Sequence, residues 1–334
     1  MRDLAPAPPQ VVDPSTHVPR WGSYAGGFAN VDLGALERGR LWTFTHRKRW
    51  MYVCVAHEEL WVAAAVVDLG YAGNAFVIAY DSRGKRMLAT HSAIGLPGGF
   101  DVNDCAGEGH HARFRSRRMS ATFRRSPGSS TYVFEMRAPS VAFDLRMDSQ
   151  GAPPPIAAVA EIAGGTVNVT QKGALLATRG TVTIAQRRYE MDGALGGYDH
   201  TSGLLARHTA WKWAFAMGRA KTGERVAFNL VEGFVGEPEC AMWIDGALAP
   251  LAEGRFEHDP ARPLDEWRLK TRDDGVALRF SPGAMHADDT NLGIVRSRFV
   301  QPVGVYSGTI RAPGREPLEI DGVLGVTEDQ DVVW

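Results

Sequence analysis

A hydrophobic alternation with a period of two residues recurs along most of the chain and constrains its fold more than any other feature. The segment TYVFEMRAPSVAFDLRM, at residues 131–147, shows it on both sides of Pro139. In its second half, Asp144 and Arg146 fall on one side of an extended chain. The opposite side carries only apolar residues: Val141, Phe143, Leu145 and Met147. This pattern predicts an antiparallel strand with one buried and one solvated face.

Segments of the same kind follow one another in both halves of the chain, and most end at glycine, aspartate or proline turns. The segments RDDGVAL and APGREP carry the strongest turn signals. Helical periodicity is scarce, and VDLGALERGR at residues 31–40 is the best short helical segment. Many short strands at regular spacing are typical of sandwiches and barrels. We therefore predict an all-β fold with two tandem antiparallel barrels or strongly curved sheets.

A run of three prolines, Pro153–Pro155, interrupts the alternation near the middle of the chain. Proline stiffens the backbone and cannot donate to a strand ladder, and 334 residues are enough for two domains of ordinary size. The sequence therefore predicts an N-terminal β domain at residues 20–150 and a C-terminal β domain at residues 156–334. The segments LWTFTHRKRWMYVCV and LLARHTAWKWAFAMG both set tryptophans among basic residues, a weak sign of duplication.

The charged residues nearly balance, with 37 Lys and Arg against 38 Asp and Glu, for a net charge of -1. That balance gives no reason to expect nucleic acid or an anionic membrane as a partner. The most apolar stretch, LWVAAAVVDLG, is interrupted at Asp68, far short of the roughly 20 apolar residues of a membrane-spanning helix. The sequence thus predicts no integral membrane segment.

The first residues contain no apolar run of the signal-peptide type. The three cysteines, Cys54, Cys105 and Cys240, are scattered and fit free thiols in a reducing compartment. We therefore expect a cytoplasmic protein, whose oligomeric state the sequence leaves open.

The segment RHTAWKWAFAMG, at residues 207–218, has the alternation of a strand with two tryptophans on one face. That face carries Arg207, Thr209, Trp211, Trp213 and Phe215. On the next strand Phe228 and Glu232 share a face, and Asn229 lies opposite them. Tryptophans in such a strand either pack in a core or line a ligand cavity, where a few polar groups orient the ligand.

The segment GGYDHTSG places Asp199 and His200 side by side just before that strand. An Asp–His pair suits general acid–base chemistry, because imidazole titrates near neutrality and a carboxylate tunes it. Neighbouring residues of an extended chain point to opposite sides, however, and a turn aspartate beside an exposed histidine would explain the same pattern. The candidate catalytic residues are Asp199, Glu232 and His200.

The basic segment GEGHHARFRSRRMSATFRR places several cationic side chains on one face of a strand: His111, Arg113, Arg115 and Arg117. Such a face either binds an anionic group or is solvated and resists edge-to-edge aggregation. It lacks the interleaved aromatic residues of a nucleic-acid platform. The role of Arg113–Arg118 stays open.

Other chemical motifs are missing from the sequence. It has no Walker P-loop, no G-x-S-x-G elbow and no H-E-x-x-H pair. The glycines of GALGG do not open a helix, as a dinucleotide fingerprint requires, and HADDTN at residues 286–291 lacks the spacing of an EF-hand. We therefore expect neither a metal nor a cofactor.

Five segments together resemble a bacterial family known as DUF2804, a domain of unknown function: TQKGALLATRGTV, YDHTSGLLARHTAWKWA, GERVAFNLVEGF, QPVGVYSGTI and GVTEDQDVVW. The resemblance runs from KRWMYV to Trp334. The family-like positions are Lys172, Gly180, Asp199, Gly203, Trp211, Trp213, Asn229, Gly233, Gly308 and Glu328.

This family is similar at a distance to the tandem lipocalin-like proteins, which include carotenoid hydratases and tocopherol cyclases. The resemblance implies two consecutive lipocalin-like β domains and an apolar, lipid-, isoprenoid- or polyene-like ligand. It transfers no reaction, because one fold hosts many functions. The candidate ligand-binding residues are Trp211, Trp213, Asn229, Arg207, Lys172 and Phe228.

Three hypotheses for the function remain. The first is a hydrophobic small-molecule binding protein with a cavity in its C-terminal half or between the two halves. The second is a cofactor-independent hydratase, cyclase or isomerase, in which a buried Asp or Glu protonates a double bond and tryptophan faces shield the cation. The third is a non-catalytic interaction protein whose tryptophans belong entirely to the core.

Overall fold

The computed structural model describes residues 4–291 and 295–334 and is almost entirely β-structure. Within the described residues the helices are α1, Arg40–His46, and two short 3-10 helices, Gly34–Leu36 and Glu237–Glu239. The best helical segment of the sequence, residues 31–40, thus holds only one 3-10 turn and the first residue of α1. Gly39 separates them with a φ of 105°, a left-handed conformation that glycine accepts readily. No helix in the described part of the chain has the length and apolar character to span a membrane.

The first sheet contains fifteen strands: β1 (Ala5–Pro6), β2 (Gly22–Ala25), β3 (Arg47–His57), β4 (Leu60–Asp68), β5 (Gly73–Asp81), β6 (Arg86–Gly95), β7 (Phe100–Val102), β8 (His111–Arg115), β9 (Ser120–Arg124), β10 (Thr131–Ala138), β11 (Val141–Asp148), β12 (Ile156–Glu161), β13 (Val167–Ile184), β14 (Arg187–Glu190) and β15 (Ala194–Leu204). Its main order is β6-β5-β4-β3-β15-β13-β11-β10-β9-β8-β7. Strands β2 and β12 extend it beside β13.

In the described residues the second sheet contains nine strands: β16 (His208–Arg219), β17 (Arg225–Gly233), β18 (Ala241–Ile244), β19 (Ala247–Pro250), β20 (Gly254–Glu257), β21 (Trp267–Thr271), β22 (Val276–Asn291), β23 (Arg296–Ile310) and β24 (Leu318–Val333). Its order is β19-β18-β17-β16-β24-β23-β22-β21-β20, with antiparallel pairing throughout. The sheet curls until β20 approaches β17, where the Phe256 backbone N–H donates to Glu232. The two strongly curved sheets confirm the predicted fold class.

Strands β3, β4 and β5 are buried on both faces because each side packs against a different partner. On β3, Met51 and Val53 point into the apolar core that the first sheet encloses. Tyr52 and Cys54, at the alternate positions, point toward the second sheet. Double burial explains why these segments are almost continuously apolar, whereas β10 and β11 alternate strictly.

The chain passes from the first sheet to the second between Leu204 and His208. Strands β13 and β15 follow the proline run, yet they lie between β11 and β3 in the first sheet. Sheet membership therefore changes about fifty residues later than the boundary expected at Pro153–Pro155. The division into domains at residues 20–150 and 156–334 stays a prediction, and strand pairing argues for a later boundary.

The basic segment forms β8 and β9, which pair as a hairpin. Ala112 and Phe114 are buried, whereas His111, Arg113 and Arg115 are exposed. The cationic side chains thus lie on the solvated face of a strand whose apolar residues face the core.

Candidate functional site

A cavity of about 490 Å³ lies where the two sheets face each other. It is lined from the first sheet by Trp50, Tyr52, Phe76, Lys172 and Asp199, and from the second by Trp211, Trp213, His286, Phe299, Glu328 and Gln330. The cavity-lining residues of each sheet lie on the same face of that sheet. Within a strand they occupy alternate positions, and between neighbouring strands they occupy directly paired positions. Trp213 on β16 pairs with Glu328 on β24, and Lys172 on β13 pairs with Asp199 on β15.

The tryptophans of β16 form one wall of the cavity. Trp211 stacks on Trp50 of the opposite sheet, with ring centroids 6.2 Å apart. Trp213 meets Tyr52 edge to face at 5.2 Å. Both indole N–H groups are satisfied, since Trp211 donates to Glu328 Oε1 at 2.7 Å and Trp213 donates to Asn229 Oδ1 at 2.7 Å. These rings therefore belong both to the packing between the sheets and to the cavity wall.

A buried cluster of charges forms one end of the cavity. The Lys172 ammonium lies 2.5 Å from Asp199 Oδ2 and 3.0 Å from Glu239 Oε2, and all three side chains are almost fully buried. Glu239 comes from the 3-10 helix Glu237–Glu239. Burial opposes the charge of Lys172, but the two carboxylates outweigh it and raise the lysine pKa. Burial raises the pKa of Glu239. The single Lys172 cation is thus within ion-pair distance of two carboxyl groups.

Glu328 is a buried carboxyl group without an ion-pair partner among the described residues. Its Oε1 accepts the Trp211 indole N–H, and its Oε2 accepts the Gln301 amide at 2.9 Å. Burial raises the pKa of Glu328 to about 7, although the two hydrogen bonds oppose that shift. A carboxyl group with this pKa exchanges its proton near neutrality.

Because side chains alternate along β24, Glu328 points into the cavity and its neighbour Asp329 points to the other face of the strand. Glu328 and Gln330 line the cavity. Asp329, between them, points to the other face and pairs with His258 Nε2 at 3.0 Å and Arg298 at 2.9 Å. Asp329 therefore has an ion-pair partner in Arg298, whereas Glu328 has none among the described residues.

Two further polar side chains line the cavity between aromatic rings. The Tyr52 hydroxyl is buried and has no hydrogen-bond partner among the described groups, and an unpartnered buried polar group is costly unless a ligand or water pairs with it. His286 shares a hydrogen bond with the Thr90 hydroxyl at 2.9 Å and lies 5.0 Å from the Phe76 ring. Burial lowers the pKa of His286, so its imidazole is neutral at pH 7.

Of the residues predicted as site residues, four line the cavity: Lys172, Asp199, Trp211 and Trp213. Asn229 is fully buried behind the ring of Trp213 and holds it in place through the indole N–H. Its own amide donates to the Glu239 backbone carbonyl at 2.8 Å, which links the tryptophan wall to the charge cluster.

The structure does not bring Glu232 or Phe228 to the cavity. In the pairing of β16 with β17, Trp213 faces Val231, so Glu232 lies with Lys212 on the opposite face. Its carboxylate is 3.5 Å from Lys212 Nζ and accepts the Phe256 backbone N–H at 2.7 Å. Phe228 is fully buried in the core of the second sheet, 4.9 Å from the Tyr306 ring.

His200 and Arg207 also lie outside the cavity lining. His200 follows Asp199 on β15 and therefore points to the opposite face, where its Nε2 approaches the Asn103 carbonyl at 2.9 Å. Burial lowers the pKa of His200. Arg207 lies between the two sheets in sequence, and its backbone carbonyl accepts the Trp334 N–H. Asp199 and His200 thus do not form an acid–base pair.

Several cavity residues were not predicted: Trp50, Tyr52, Phe76, Glu239, His286 and Phe299. Glu328 was named only as a family-like position. A signal for it exists in the segment VLGVTEDQDVVW, where five consecutive polar residues interrupt an apolar strand. No local sequence pattern indicates that Glu239 lines the cavity. Its ion pair with Lys172 depends on a contact between two segments that are distant in the sequence.

A second cavity, of about 570 Å³, opens beside the first sheet. Gln171, Tyr198, Tyr132, Arg125 and Pro153–Pro155 are among its lining residues. Its described lining residues include none of the tryptophans and neither Asp199 nor Glu328, so the four predicted site residues that line a cavity all belong to the inter-sheet cavity.

Solved structures of similar architecture include the crystal structure of CghA with Sch210972, at a TM-score of 0.55 and 16% identity, covering 87% of this chain and 88% of that chain. Kievitone hydratase from Nectria haematococca matches at a TM-score of 0.54 and 13% identity, covering 99% and 98%. A putative AttH, NE1406 from Nitrosomonas europaea, matches at a TM-score of 0.51 and 12% identity, covering 85% and 92%. At such identities these likenesses show the fold alone.

No sequence among the curated proteins matches this chain. The model of a family described as a domain of unknown function, DUF2804, matches residues 8–334. That match confirms the resemblance drawn from the five sequence segments, and the solved structures show a similar fold over most of the chain. The chain belongs to the DUF2804 family.

Proposed function

We propose that this protein binds a small, largely apolar molecule in the cavity between its two sheets. The observation that carries the proposal is the cavity of about 490 Å³ beside Trp211 and Trp213, because ligand sites are concave, mostly apolar and furnished with a few convergent polar groups. The solved structure of CghA with Sch210972 supports small-molecule binding by this fold. A purely structural role for the tryptophans would require no space beside them.

The binding proposal is tested by titrating the protein with a lipid extract and following tryptophan fluorescence, with native mass spectrometry to identify what is retained. We expect Trp213→Leu to weaken binding on the order of tenfold, because it removes one wall of the cavity. Trp21→Leu is the matched control, since Trp21 is 44% exposed and lies outside the cavity lining. Equal binding by both variants would contradict the proposal.

A second candidate function is acid catalysis on the bound molecule, and the environment of Glu328 favours it. Glu328 gives its proton to one carbon of a carbon–carbon double bond, and the other carbon becomes cationic. Loss of a neighbouring proton to the Glu328 carboxylate then yields an isomer, addition of water followed by proton loss yields an alcohol, and attack by a second double bond followed by proton loss yields a ring. The tryptophan faces stabilise the cation, and the class of enzyme is a cofactor-independent lyase or isomerase.

The name of kievitone hydratase, a solved structure of similar fold, agrees with such chemistry. The test incubates the protein with alkene ligands found by the binding titration and measures product by mass spectrometry. We expect Glu328→Gln to lower turnover by roughly a hundredfold or more, because an amide cannot donate an acid proton. Glu232→Gln is the matched control, because Glu232 points away from the cavity. Turnover that survives Glu328→Gln would remove the assignment.

The proposed location is the cytoplasm. Cys54, Cys105 and Cys240 are all free thiols in the structure, which suits a reducing compartment. Fractionation of the native host with an antibody to the protein tests this, and recovery with secreted or envelope proteins would contradict it.

A further inference from the structure

The charges around the inter-sheet cavity are unequal. The residues that line it include four carboxyl groups: Asp199, Glu239, Asp288 and Glu328. Among the described residues that line the cavity, Lys172 is the only lysine or arginine, and it is shared between Asp199 and Glu239. His286 adds no charge, because burial lowers its pKa. The cavity is therefore short of positive charge.

Two other cations, Lys48 and Arg207, lie close behind the cavity wall at Tyr71. Lys48 is fully buried, and its ammonium donates to the carbonyls of Thr45 and Leu69 while lying 4.8 Å from the ring of Tyr71. Burial lowers the pKa of Lys48 to about 7, so it carries less than a full charge near neutrality. The Lys48 ammonium faces Tyr71 and two carbonyl groups, and no described residue forms an ion pair with Glu328.

The aromatic rings of the cavity supply a second attraction for a positive group. The faces of Trp and Tyr rings attract cations electrostatically. The structure already contains such a contact, because the Lys172 ammonium lies 5.7 Å from the centroid of Trp213. The ring of Trp211 lies beside Glu328 and donates its N–H to it. The N–H edge of the Trp211 ring, which stacks on Trp50, thus adjoins a carboxyl group that has no ion-pair partner among the described residues.

We infer that the cavity selects an apolar molecule that carries an ammonium or amine group, held by Glu328 and the tryptophan faces. This inference rests on the proposed binding function and specifies the ligand's charge. The apolar remainder lies toward Phe76, Phe299 and Ile94, and Ile94 is 63% exposed at the cavity rim. A fatty acid fits the same space, but its carboxylate would meet carboxyl groups in a region of low dielectric.

The groups that face Glu328 give this selection a pH dependence. Trp211 and Gln301 are its neutral donors, and Asp199, Lys172 and Tyr52 are the nearby groups that can carry charge. A cationic ligand favours ionised Glu328, so its binding releases a proton near neutrality. Affinity for a cation therefore rises as pH increases through about 7, whereas affinity for a neutral ligand changes little.

The test compares three ligands with one alkyl chain, below their micelle concentrations: decyltrimethylammonium, decanol and decanoate. Calorimetry or tryptophan fluorescence measures the dissociation constant of each. We expect the cation to bind at least about tenfold more tightly than decanol and decanoate to bind most weakly. We also expect the affinity for the cation to rise between about pH 6 and about pH 8.

Variants separate charge from shape. Glu328→Gln keeps the size of the side chain and is expected to abolish both the preference for the cation and its pH dependence, while decanol binding persists. Glu232→Gln is the control and should retain the preference, because that carboxylate lies on the opposite face of β17. If decanol binds as well as the cation to the unmodified protein, the inference fails and the binding function stands. If none of the three binds, the binding function itself fails.

Discussion

At the residue scale, the carboxyl groups of the cavity differ because their neighbours differ. Asp199 and Glu239 share the Lys172 ammonium, which opposes the rise in the pKa of Glu239 that burial causes. Glu328 receives only neutral donors, from Trp211 and Gln301. Neutral hydrogen bonds compensate only partly for burial, so Glu328 titrates near neutrality.

The protonation state of Glu328 should affect how the free energy of unfolding depends on pH. Its folded pKa, about 7, lies above the ordinary glutamate value of 4.5. The folded state therefore binds more protons than the unfolded state between these values, and stability is lost as pH rises through them. The loss is at most about 3 kcal/mol. Urea unfolding across this range should show a decline in the unfolding free energy that Glu328→Gln removes and Glu232→Gln keeps. If the unfolding free energies of Glu328→Gln and the unmodified protein changed with pH in parallel, the prediction would be wrong.

Among the charged residues, we expect substitution of Lys172 to lower the free energy of unfolding the most. Lys172→Met leaves two buried carboxyl groups without their cation, which costs about 3–5 kcal/mol of unfolding free energy. Lys212→Met is the matched control. Lys212 is partly exposed and 3.5 Å from Glu232, so its loss should cost about 0–1 kcal/mol. Equal midpoints for the two variants in urea unfolding would show that the buried cluster contributes little.

At the element scale, β15 and β16 bring the two sheets together. Gly197 on β15 has no side chain, and the ring of Phe215 on β16 occupies the space beside it. A methyl group at Gly197 would lie 2.8 Å from that ring. The same strands carry Asp199 and Trp213 into the cavity, so the close approach at Gly197 sets the distance between its walls.

Gly197→Ala should therefore destabilise the protein by about 1–3 kcal/mol through overpacking and weaken ligand binding by moving the walls. Gly246→Ala is the control, because no atom lies within 4 Å of a methyl group there. Thermal unfolding and fluorescence titration measure the two effects. If the stability and ligand affinity of Gly197→Ala were unchanged, the sheets could accommodate a methyl group at this position, and the prediction would be wrong.

At the scale of the whole molecule, the order of strands in the first sheet departs from their order in the chain. Strands β15 and β13 lie between β3 and β11, so the sheet is complete only when residues up to Leu204 are present. The cavity requires both sheets, because Lys172 and Asp199 come from one and Trp213 and Glu328 from the other.

Fragments of the chain test where an independent unit ends. A fragment of residues 4–152 lacks β13 and β15, and we expect it to show no cooperative thermal transition by circular dichroism. A fragment of residues 4–206 keeps both strands and is expected to unfold cooperatively. Cooperative unfolding of the shorter fragment would instead support a domain at residues 20–150.

The period-two alternation was enough to predict the strands, the all-β class and the common face of Trp211 and Trp213, because these depend on local geometry. It also put Asp199 and His200 on opposite faces, as the structure has them. Alternation within one strand cannot tell which faces coincide on neighbouring strands. The register of β16 with β17 decided that, and it placed Glu232 away from the tryptophans.

The sequence by itself therefore determined the strands, their two-faced character and the family. Only the tertiary structure decided that β13 and β15 complete the first sheet, that the cavity lies between the sheets, and that Glu328 and Glu239 belong to it. The physical reason is that these features depend on strand order, register and sheet packing. Each of those is set by contacts between residues far apart in the chain, such as Lys172 with Glu239 and Trp211 with Glu328.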